Sequence, residues 1–313
     1  METAIKIEHI SKKLGKKQII KDLSFETYTG EVFGFLGPNG AGKTTTIKMA
    51  VGMISIDSGS ISICGKDITK DFEGAMQNVG AIVENPEMYK YMSGYQNLKL
   101  YANMRKNVTK ERIDEVVELV GLSNRIQDKV GKYSLGMRQR LGVAQALLHH
   151  PKVLILDEPT NGLDPAGIKH LRDVLKDVAH KENVCVIVSS HLMSEMEMLC
   201  DRVGILVQGD LLGIKTVEEM IKEADGKLVS YEYKVDSTTQ ALALLPKEYE
   251  TKAITDTCFE IMVPTENENS LISSFNRTLI ENQIRLYTVA KKDTHNLEDA
   301  FIAMTKEGGD QIA

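Results

Sequence analysis

The sequence predicts an α/β fold built on a doubly wound, mostly parallel β-sheet. Three continuous apolar runs support this prediction: residues 31–36 (EVFGFL), 152–157 (KVLILD) and 183–190 (NVCVIVSS). Strands that are covered on both faces of a parallel sheet are apolar throughout, whereas half-exposed strands alternate between apolar and polar residues. A polar amphipathic stretch long enough for a helix separates the last two runs, as a crossover between parallel strands requires.

The N-terminal segments have a different pattern. Residues 4–10, 19–27 and 60–64 alternate between apolar and polar positions, as half-buried strands do. They surround a glycine-rich turn at residues 37–42. We therefore expect an N-terminal antiparallel β subdomain beside the parallel core.

The pattern becomes helical between about residue 86 and residue 150. Ser93 and Gln96 form a capping-box pattern ahead of an apolar stretch. A second predicted helix has apolar residues at the i, i+3, i+4, i+7 spacing, namely Ile113, Val116, Val117 and Val120. This block predicts a helical subdomain inserted into the core.

A change of composition near residue 216 divides the chain. We predict a first domain over residues 1–215, a linker over 216–227 and an accessory domain over 228–313. The accessory domain contains both strand-like alternation and two helical stretches, 267–282 and 296–305, so we expect a small α+β domain. Its alternating apolar positions are Val229, Tyr231, Tyr233, Val235, Phe259, Ile261 and Val263.

Composition limits the class of protein. A chain of 313 residues with 42% hydrophobic and 26% charged residues is typical of a globular protein of two domains. The net charge of −6 argues against broad attraction to nucleic acid or to an anionic membrane. No stretch reaches the roughly 18 apolar residues of a membrane-spanning helix, and the four cysteines lack metal-ligand spacing. We expect a cytosolic protein with reduced thiols.

The first chemical motif is GPNGAGKT at residues 37–44, between an apolar strand and a helical stretch. Glycines allow backbone N–H groups to surround phosphate oxygens, and the following helix presents the positive end of its dipole. Lys43 is expected to reach the β- and γ-phosphates and Thr44 to bind Mg²⁺. The motif predicts a nucleoside triphosphate site and a P-loop NTPase (RecA-like) core. The predicted nucleotide-binding residues here are Gly37, Pro38, Asn39, Gly40, Ala41, Gly42, Lys43, Thr44 and Thr45.

The partner of this motif is VLILDEPT at residues 153–160. A buried parallel strand that ends in Asp157 places a carboxylate beside the phosphate loop, where it can hold Mg²⁺. Glu158, the next residue, can polarise a hydrolytic water. Two acids at a strand end can also be a helix N-cap, but the phosphate loop favours the catalytic interpretation.

Four motifs in order resemble the ATPase subunit of an ATP-binding cassette (ABC) transporter. They are GPNGAGKT, YSLGM at 133–137, ILDEPTNGLD at 155–164 and SSHLMSE at 189–195. The resemblance covers residues 1 to about 215, which we therefore expect to form the nucleotide-binding domain. The serine–glycine signature just before the Asp–Glu strand is specific to this family, although Leu135 and Met137 depart from its usual Leu-Ser-Gly-Gly-Gln form.

The resemblance implies that ATP is bound between two subunits in a head-to-tail dimer. In the family, Ser134 and Gly136 face the γ-phosphate that the opposite subunit holds, and Asp164 belongs to a loop that communicates across the dimer. Ser134 can also be an ordinary helix N-cap. His191 matches the histidine that contacts the γ-phosphate and the hydrolytic water. The position that often carries an adenine-stacking aromatic ring is occupied by Leu14.

Glu84 follows the strand-like run VGAIV at residues 79–83. Relatives usually have a glutamine there, which contacts Mg²⁺ and the attacking water and links the site to the membrane subunit. A glutamate in this position is similar to the subgroup that exports bacitracin or lantibiotic peptides. We therefore include Glu84 among the catalytic and metal-binding candidates. Tyr89 and Tyr91, in the segment that follows, are candidates for contact with the partner.

These features predict an ATPase that drives an exporter, with ATP and Mg²⁺ as cofactors. We expect a separate transmembrane permease, a second copy of the ATPase subunit, and a location on the cytoplasmic face of the membrane. The substrate would be an antimicrobial peptide or another amphipathic compound. The alternative is a soluble ABC ATPase that acts on ribosomes or DNA, but such proteins usually have two cassettes or a long coiled coil. An importer is disfavoured by residues 296–305, NLEDAFIAMT, which resemble the end of export subunits.

Overall fold

The computed structural model describes residues 2–105, 108–224 and 228–292 of the chain. The chain divides into two compact units, residues 1–217 (unit 1) and 218–313 (unit 2). Helix Val217–Ala224 begins at this boundary and occupies most of the range predicted as a linker. None of the helices in the described ranges is both long enough and apolar enough to cross a membrane.

Unit 1 contains two β-sheets. In chain order, its strands are β1 (Thr3–Leu14), β2 (Lys17–Tyr28), β3 (Val32–Leu36), β4 (Ser58–Ile63), β5 (Lys66–Asp67), β6 (Val79–Ile82), β7 (Val153–Asp157), β8 (Cys185–Ser190), β9 (Arg202–Val207) and β10 (Asp210–Thr216). Its helices are α1 (Lys43–Ala50), α2 (Phe72–Met76), α3 (Gly94–Asn103), α4 (Lys110–Leu119), α5 (Leu135–Leu147), α6 (Pro165–Glu182) and α7 (Met193–Leu199).

The central sheet has the strand order β10-β9-β3-β8-β7-β6. All neighbouring strands from β9 to β6 are parallel, and β10 pairs antiparallel with β9 at the edge. Every residue of β3, β7 and β8 is buried, as expected for strands covered on both faces. The predicted parallel α/β core is confirmed.

The N-terminal sheet has the order β2-β1-β4-β5, and all its pairs are antiparallel. Its alternating apolar residues form one cluster with residues of the central sheet. Within this cluster, the ring of Phe25 from β2 stacks on Phe33 from β3, with centroids 5.4 Å apart. The predicted antiparallel subdomain is therefore attached to the core through a shared apolar interior.

The helical subdomain consists of α3, α4 and α5. Ser93 and Gln96 form the predicted capping box at the start of α3. The predicted apolar face of α4 is buried, and Arg112 on the same helix donates a hydrogen bond to the carbonyl of Leu147 over 2.7 Å. These contacts fix the helix that carries the serine–glycine signature, α5.

Unit 2 has the β-α-β-β-α-β order of a split βαβ fold. After α8 (Val217–Ala224), its elements are β11 (Leu228–Val235), α9 (Thr238–Leu244), β12 (Thr251–Thr255), β13 (Cys258–Pro264), α10 (Glu268–Glu281) and β14 (Leu286–Lys291). The sheet order is β12-β13-β11-β14, antiparallel throughout. The alternating apolar residues of β11 and β13 pack with residues of α9 and α10. The predicted helix at 296–305 lies outside the described residues.

Candidate active site

The phosphate loop connects the end of β3 to the start of α1, as predicted. Gly40 and Gly42 have φ values of 83° and 113°, in the left-handed region that favours glycine. The backbone N–H of Thr46 donates to the carbonyl of Gly42 over 2.9 Å and so begins the helical pattern. The first N–H groups of a helix have no acceptor within the helix, which makes this end of α1 suited to phosphate oxygens.

Lys43 lies in the loop with its side chain almost entirely buried. Its Nζ donates to the carbonyl of Gly37 over 2.6 Å and lies 3.8 Å from Glu158 Oε1. Burial lowers the pKa of Lys43, while the nearby charges of Glu158 and Asp157 partly oppose this change. The loop backbone and the Glu158 carboxylate together hold the ammonium within the loop, and its contact with a phosphate stays a prediction.

The end of β7 is connected to the phosphate loop and to β8 through Asp157. Its Oδ1 accepts hydrogen bonds from Thr44 Oγ1 over 3.2 Å and from Ser189 Oγ over 2.6 Å. Ser189 Oγ in turn accepts from the backbone N–H of Glu158 over 3.0 Å. Since the carboxyl ends of adjacent parallel strands meet at one edge of a sheet, these residues converge although they are far apart in the chain. Ser189 lies in the SSHLMSE motif but was not among the predicted site residues.

Glu158 and His191 are in direct contact. The His191 Nδ1–H donates to Glu158 Oε2 over 2.8 Å, and Glu158 Oε1 is the oxygen near Lys43. Glu158 has a φ of 49°, a left-handed conformation that is uncommon for a residue with a side chain and is often found at functional sites. The two predicted catalytic residues are thus brought together, with one carboxylate oxygen on the histidine and the other toward the lysine.

A cavity of about 380 Å³ opens over this cluster. Most of its lining was predicted from the sequence, namely Asn39, Gly40, Ala41, Gly42, Lys43, Thr44, Thr45, Glu158 and His191. Lys17, Ile19 and Asn161 also line it and were not predicted. Leu14 is 48% exposed at the end of β1 and is not part of the lining, whereas Ile19 is.

Ser134, Gly136 and Asp164 lie together but do not line this cavity. Ser134 caps α5 by accepting from the N–H of Met137 over 3.2 Å, and Asp164 caps α6 by accepting from the N–H of Gly167 over 3.1 Å. A Cβ on Gly136 would lie 3.6 Å from Leu163, the neighbour of Asp164. The N-cap interpretation of Ser134 is therefore correct, and the proposed contact with a second subunit's nucleotide stays a prediction.

Glu84 also lies outside the cavity lining. It follows β6 with a φ of 68°, and its side chain is 65% exposed. Lys48 Nζ donates to Glu84 Oε1 over 2.7 Å. This hydrogen bond, together with the charge of Lys48, holds the pKa of Glu84 below its usual value. The described contacts thus join Glu84 to α1 and not to Asp157 or Thr44, and its catalytic and metal-binding roles stay predictions.

Comparisons with known proteins agree with this geometry. A family model described as ABC transporter matches residues 20–161. The uncharacterized ABC transporter ATP-binding protein YhcH of Bacillus subtilis (strain 168) is 51% identical, over 100% of this chain and 99% of YhcH. The bacitracin transport ATP-binding protein BcrA of Bacillus licheniformis is 36% identical, over 98% of this chain and 99% of BcrA.

A solved structure supports the same assignment. It is described as the ATP binding subunit of an ABC transporter and superposes with a TM-score of 0.63 at 26% identity, covering 70% of this chain and 92% of its own. The phosphate loop and the Asp–Glu strand end both lie within residues 20–161, which the family model matches. The chain therefore belongs to the ATP-binding proteins of ABC transporters, which hydrolyse ATP to power transport.

Proposed function

We propose that this chain is the ATPase subunit of an exporter that moves an antimicrobial peptide, or another amphipathic compound, through a separate membrane subunit. The observation that carries the catalytic part is the contact between Glu158 and His191 over the phosphate loop. The substrate class is supported by the likeness to BcrA, which extends over nearly the whole of both chains and so includes unit 2.

Hydrolysis at this site requires a base, a positive charge and a fixed geometry. In the proposed reaction, Glu158 accepts a proton from water as the water oxygen bonds to the γ-phosphorus. The bond from the γ-phosphorus to the bridging oxygen breaks, and its electron pair stays on the bridging oxygen of ADP. Glu158 then releases its proton to solvent as ADP and phosphate leave. His191 orients the Glu158 carboxylate, and Lys43 stabilises the negative charge on the phosphate oxygens.

The residues around Asp157 fit a magnesium ion. Thr44 Oγ1 and Asp157 Oδ1 are 3.2 Å apart, and hydroxyl and carboxylate oxygens are ligands that Mg²⁺ prefers. No cluster of three or more metal-binding His, Cys, Asp or Glu side chains occurs in the described part of the chain, so ATP and water would supply the other ligands. When bound, Mg²⁺ neutralises charge on the β- and γ-phosphates. The predicted contribution of Glu84 would require its carboxylate to leave Lys48.

We further propose a head-to-tail dimer of two copies. Ser134 and Gly136, at the start of α5, and Asp164, at the start of α6, do not line the nucleotide cavity of their own chain. This is expected if they contact the nucleotide that is bound to the other copy. Helix α5 has 13 residues, so the partial positive charge at its N-terminus suits a γ-phosphate.

The membrane subunit would bind at a groove of about 440 Å³ between the central sheet and the helical subdomain. The groove is lined in part by Met53, Met76, Pro86 and Tyr101. Methionine and tyrosine are suited to packing against a helix of a partner. Tyr89 and Tyr91 are 45% and 68% exposed, with their rings 5.8 Å apart, and we propose that both contact the partner. We propose accordingly that the chain acts on the cytoplasmic face of the membrane.

A catalytic variant tests the proposal in the cell and in solution. We expect Glu158→Gln to retain ATP but to lower turnover by about 10²–10⁴-fold, because an amide cannot accept the proton. In the native strain, this variant and a deletion of the gene should both increase susceptibility to bacitracin or a lantibiotic. Glu266→Gln in unit 2 is the matched control and should behave as the wild type.

The two parts of the proposal fail separately. Wild-type turnover by Glu158→Gln would remove Glu158 from the role of base. A deletion strain that is no more susceptible than its parent to any such peptide, while the purified chain still hydrolyses ATP, would remove the proposed substrate class.

A further inference from the structure

Glu84 shapes one wall of the groove in which we propose that the membrane subunit binds. Its neighbours Val83 and Asn85 both line this groove. The φ of 68° at Glu84 lies in the left-handed region, which is uncommon for a residue with a side chain. Contacts of the Glu84 side chain therefore affect the path of the chain at this wall.

The contact that holds the Glu84 side chain comes from α1. Lys48 Nζ donates to Glu84 Oε1 over 2.7 Å. Lys48 lies in the last turn of α1, and its carbonyl accepts hydrogen bonds from the N–H groups of Met53 and Ile54 over 2.8 and 3.3 Å. The side chains of Lys48 and Glu84 are 29% and 65% exposed, so solvent partly screens this ion pair and its role is to position the two groups more than to stabilise the fold.

Helix α1 therefore has a different site at each end. Its first residues, Lys43 and Thr44, line the nucleotide cavity. Val51 and Met53, just beyond its last residue, line the groove. Lys48 itself lines neither, and its described side-chain contact is with Glu84. A displacement of α1 toward or away from bound phosphate would move Lys48 and, through the ion pair, the wall of the groove.

We propose that Lys48 is a positioning residue that joins Glu84 to α1, so that ATP binding at the phosphate loop changes the groove through the Lys48–Glu84 ion pair. This inference deepens the proposed function, because the groove is the surface assigned there to the membrane subunit. It also gives a reason for the charge at position 84. A glutamine could accept a hydrogen bond from Lys48, but only a carboxylate adds the attraction between opposite charges.

Hydrogen exchange of the isolated chain tests the connection. ATP is added to chains that carry Glu158→Gln, so that the nucleotide persists, and exchange is followed for the backbone amides of Val83, Glu84, Asn85 and Glu87. With Lys48 present, we expect ATP to change their exchange rate by at least about threefold. Lys48→Met should abolish this change while the affinity for ATP stays within about twofold, since Lys48 does not line the cavity.

Two further variants make the test specific to the charge of Lys48. Lys48→Arg should retain the response, because it keeps the positive charge near Glu84. Lys181→Met is the matched control, because Lys181 pairs with Asp177 over 2.8 Å on α6, and it should leave the response unchanged. A full response in Lys48→Met, or a response that Lys181→Met abolishes equally, would overturn the proposal.

The result is independent of the export assignment. The exchange measurement uses no membrane subunit and no transported peptide. If the exchange response is normal but deletion of the gene does not change susceptibility to peptides, only the proposed substrate class is rejected. Conversely, cells that carry Lys48→Met and resist the peptides as well as the wild type would argue against a coupling role for the Lys48–Glu84 ion pair. The assignment of the chain to an exporter would not change.

Discussion

The central sheet of unit 1 and the sheet of unit 2 differ in how they bury polar groups. Asp157 and Ser189, at the ends of β7 and β8, are buried and hydrogen bonded to each other. Asp157 also accepts from Thr44 at the start of α1, and Ser189 accepts from the backbone N–H of Glu158. In β11 of unit 2, the Tyr233 hydroxyl is buried and has no hydrogen-bond partner among the described residues. Its ring stacks on Phe259 with centroids 5.0 Å apart.

This difference reflects the role of each sheet, because the central sheet of unit 1 positions site residues and the sheet of unit 2 forms an apolar core. A buried polar group is costly unless it is hydrogen bonded, so the bonded cluster at β7 and β8 is maintained by its own contacts and presents Glu158 to the nucleotide cavity. The Tyr233 ring contributes apolar area, and burial raises the pKa of its phenol. We expect substitutions in the first sheet to affect turnover and those in the second to affect only folding.

The largest expected effect is on the stability of unit 2. Phe259 is completely buried, and Phe259→Ala should destabilise this unit by about 3–5 kcal/mol, through lost apolar contact and the cavity left behind. Because all the residues that line the nucleotide cavity belong to unit 1, ATP affinity at low temperature should not change. Calorimetry with and without ATP would distinguish the unfolding of the two units.

The matched control is on the same strand. Met262 is 39% exposed, and Met262→Ala should cost less than about 1 kcal/mol. If Phe259→Ala weakened ATP binding while unit 1 stayed folded, the separation between the two sheets would be wrong.

A smaller effect is expected at the bonded cluster. Ser189→Ala removes a donor to Asp157 and an acceptor for the N–H of Glu158, and should destabilise unit 1 by about 1–3 kcal/mol. We also expect turnover to fall by about tenfold, or ~1.4 kcal/mol, because Glu158 is held less firmly. Steady-state hydrolysis and denaturant unfolding measure the two changes.

Ser60→Ala provides the comparison for this variant. Among the described residues, Ser60 Oγ makes only a long contact of 3.5 Å with Glu8 Oε2, so its loss should leave turnover unchanged and stability within about 0.5 kcal/mol. Unaltered turnover in Ser189→Ala would mean that the position of Glu158 does not depend on this hydrogen bond.

Local pattern was sufficient to predict most of the fold. The apolar runs of β3, β7 and β8, the alternation in β11 and β13, and the periodicity of α4 each depend on residues close together in the chain, and the structure has these elements. Short elements with little pattern, such as β5 and α9, were not predicted. The expected linker at 216–227 contains helix α8, which shows that a change of composition does not define local structure.

Site residues within a motif could be predicted from the sequence. Site residues that come from segments distant in the chain could not. Residues 37–44 and Glu158 were predicted because each follows a strand with a defined neighbour, whereas His191 was predicted from the resemblance to the ABC family. Ile19 and Lys17 come to the cavity from the β1–β2 hairpin, and local spacing does not reveal which hairpin residue reaches a cavity. The contact between Lys48 and Glu84 joins residues 36 positions apart, so it required the structure.

The smallest expected effect has the opposite sign and concerns Tyr233. Tyr233→Phe removes a buried hydroxyl that has no partner in the described part of unit 2 and keeps the ring that stacks on Phe259. Since an unbonded buried hydroxyl is costly, we expect unit 2 to be unchanged or stabilised by up to about 1 kcal/mol. Denaturant unfolding would measure this change. A decrease of more than about 1 kcal/mol in the free energy of unfolding would show that the hydroxyl is hydrogen bonded in solution. Buried polar groups would then be hydrogen bonded in both sheets.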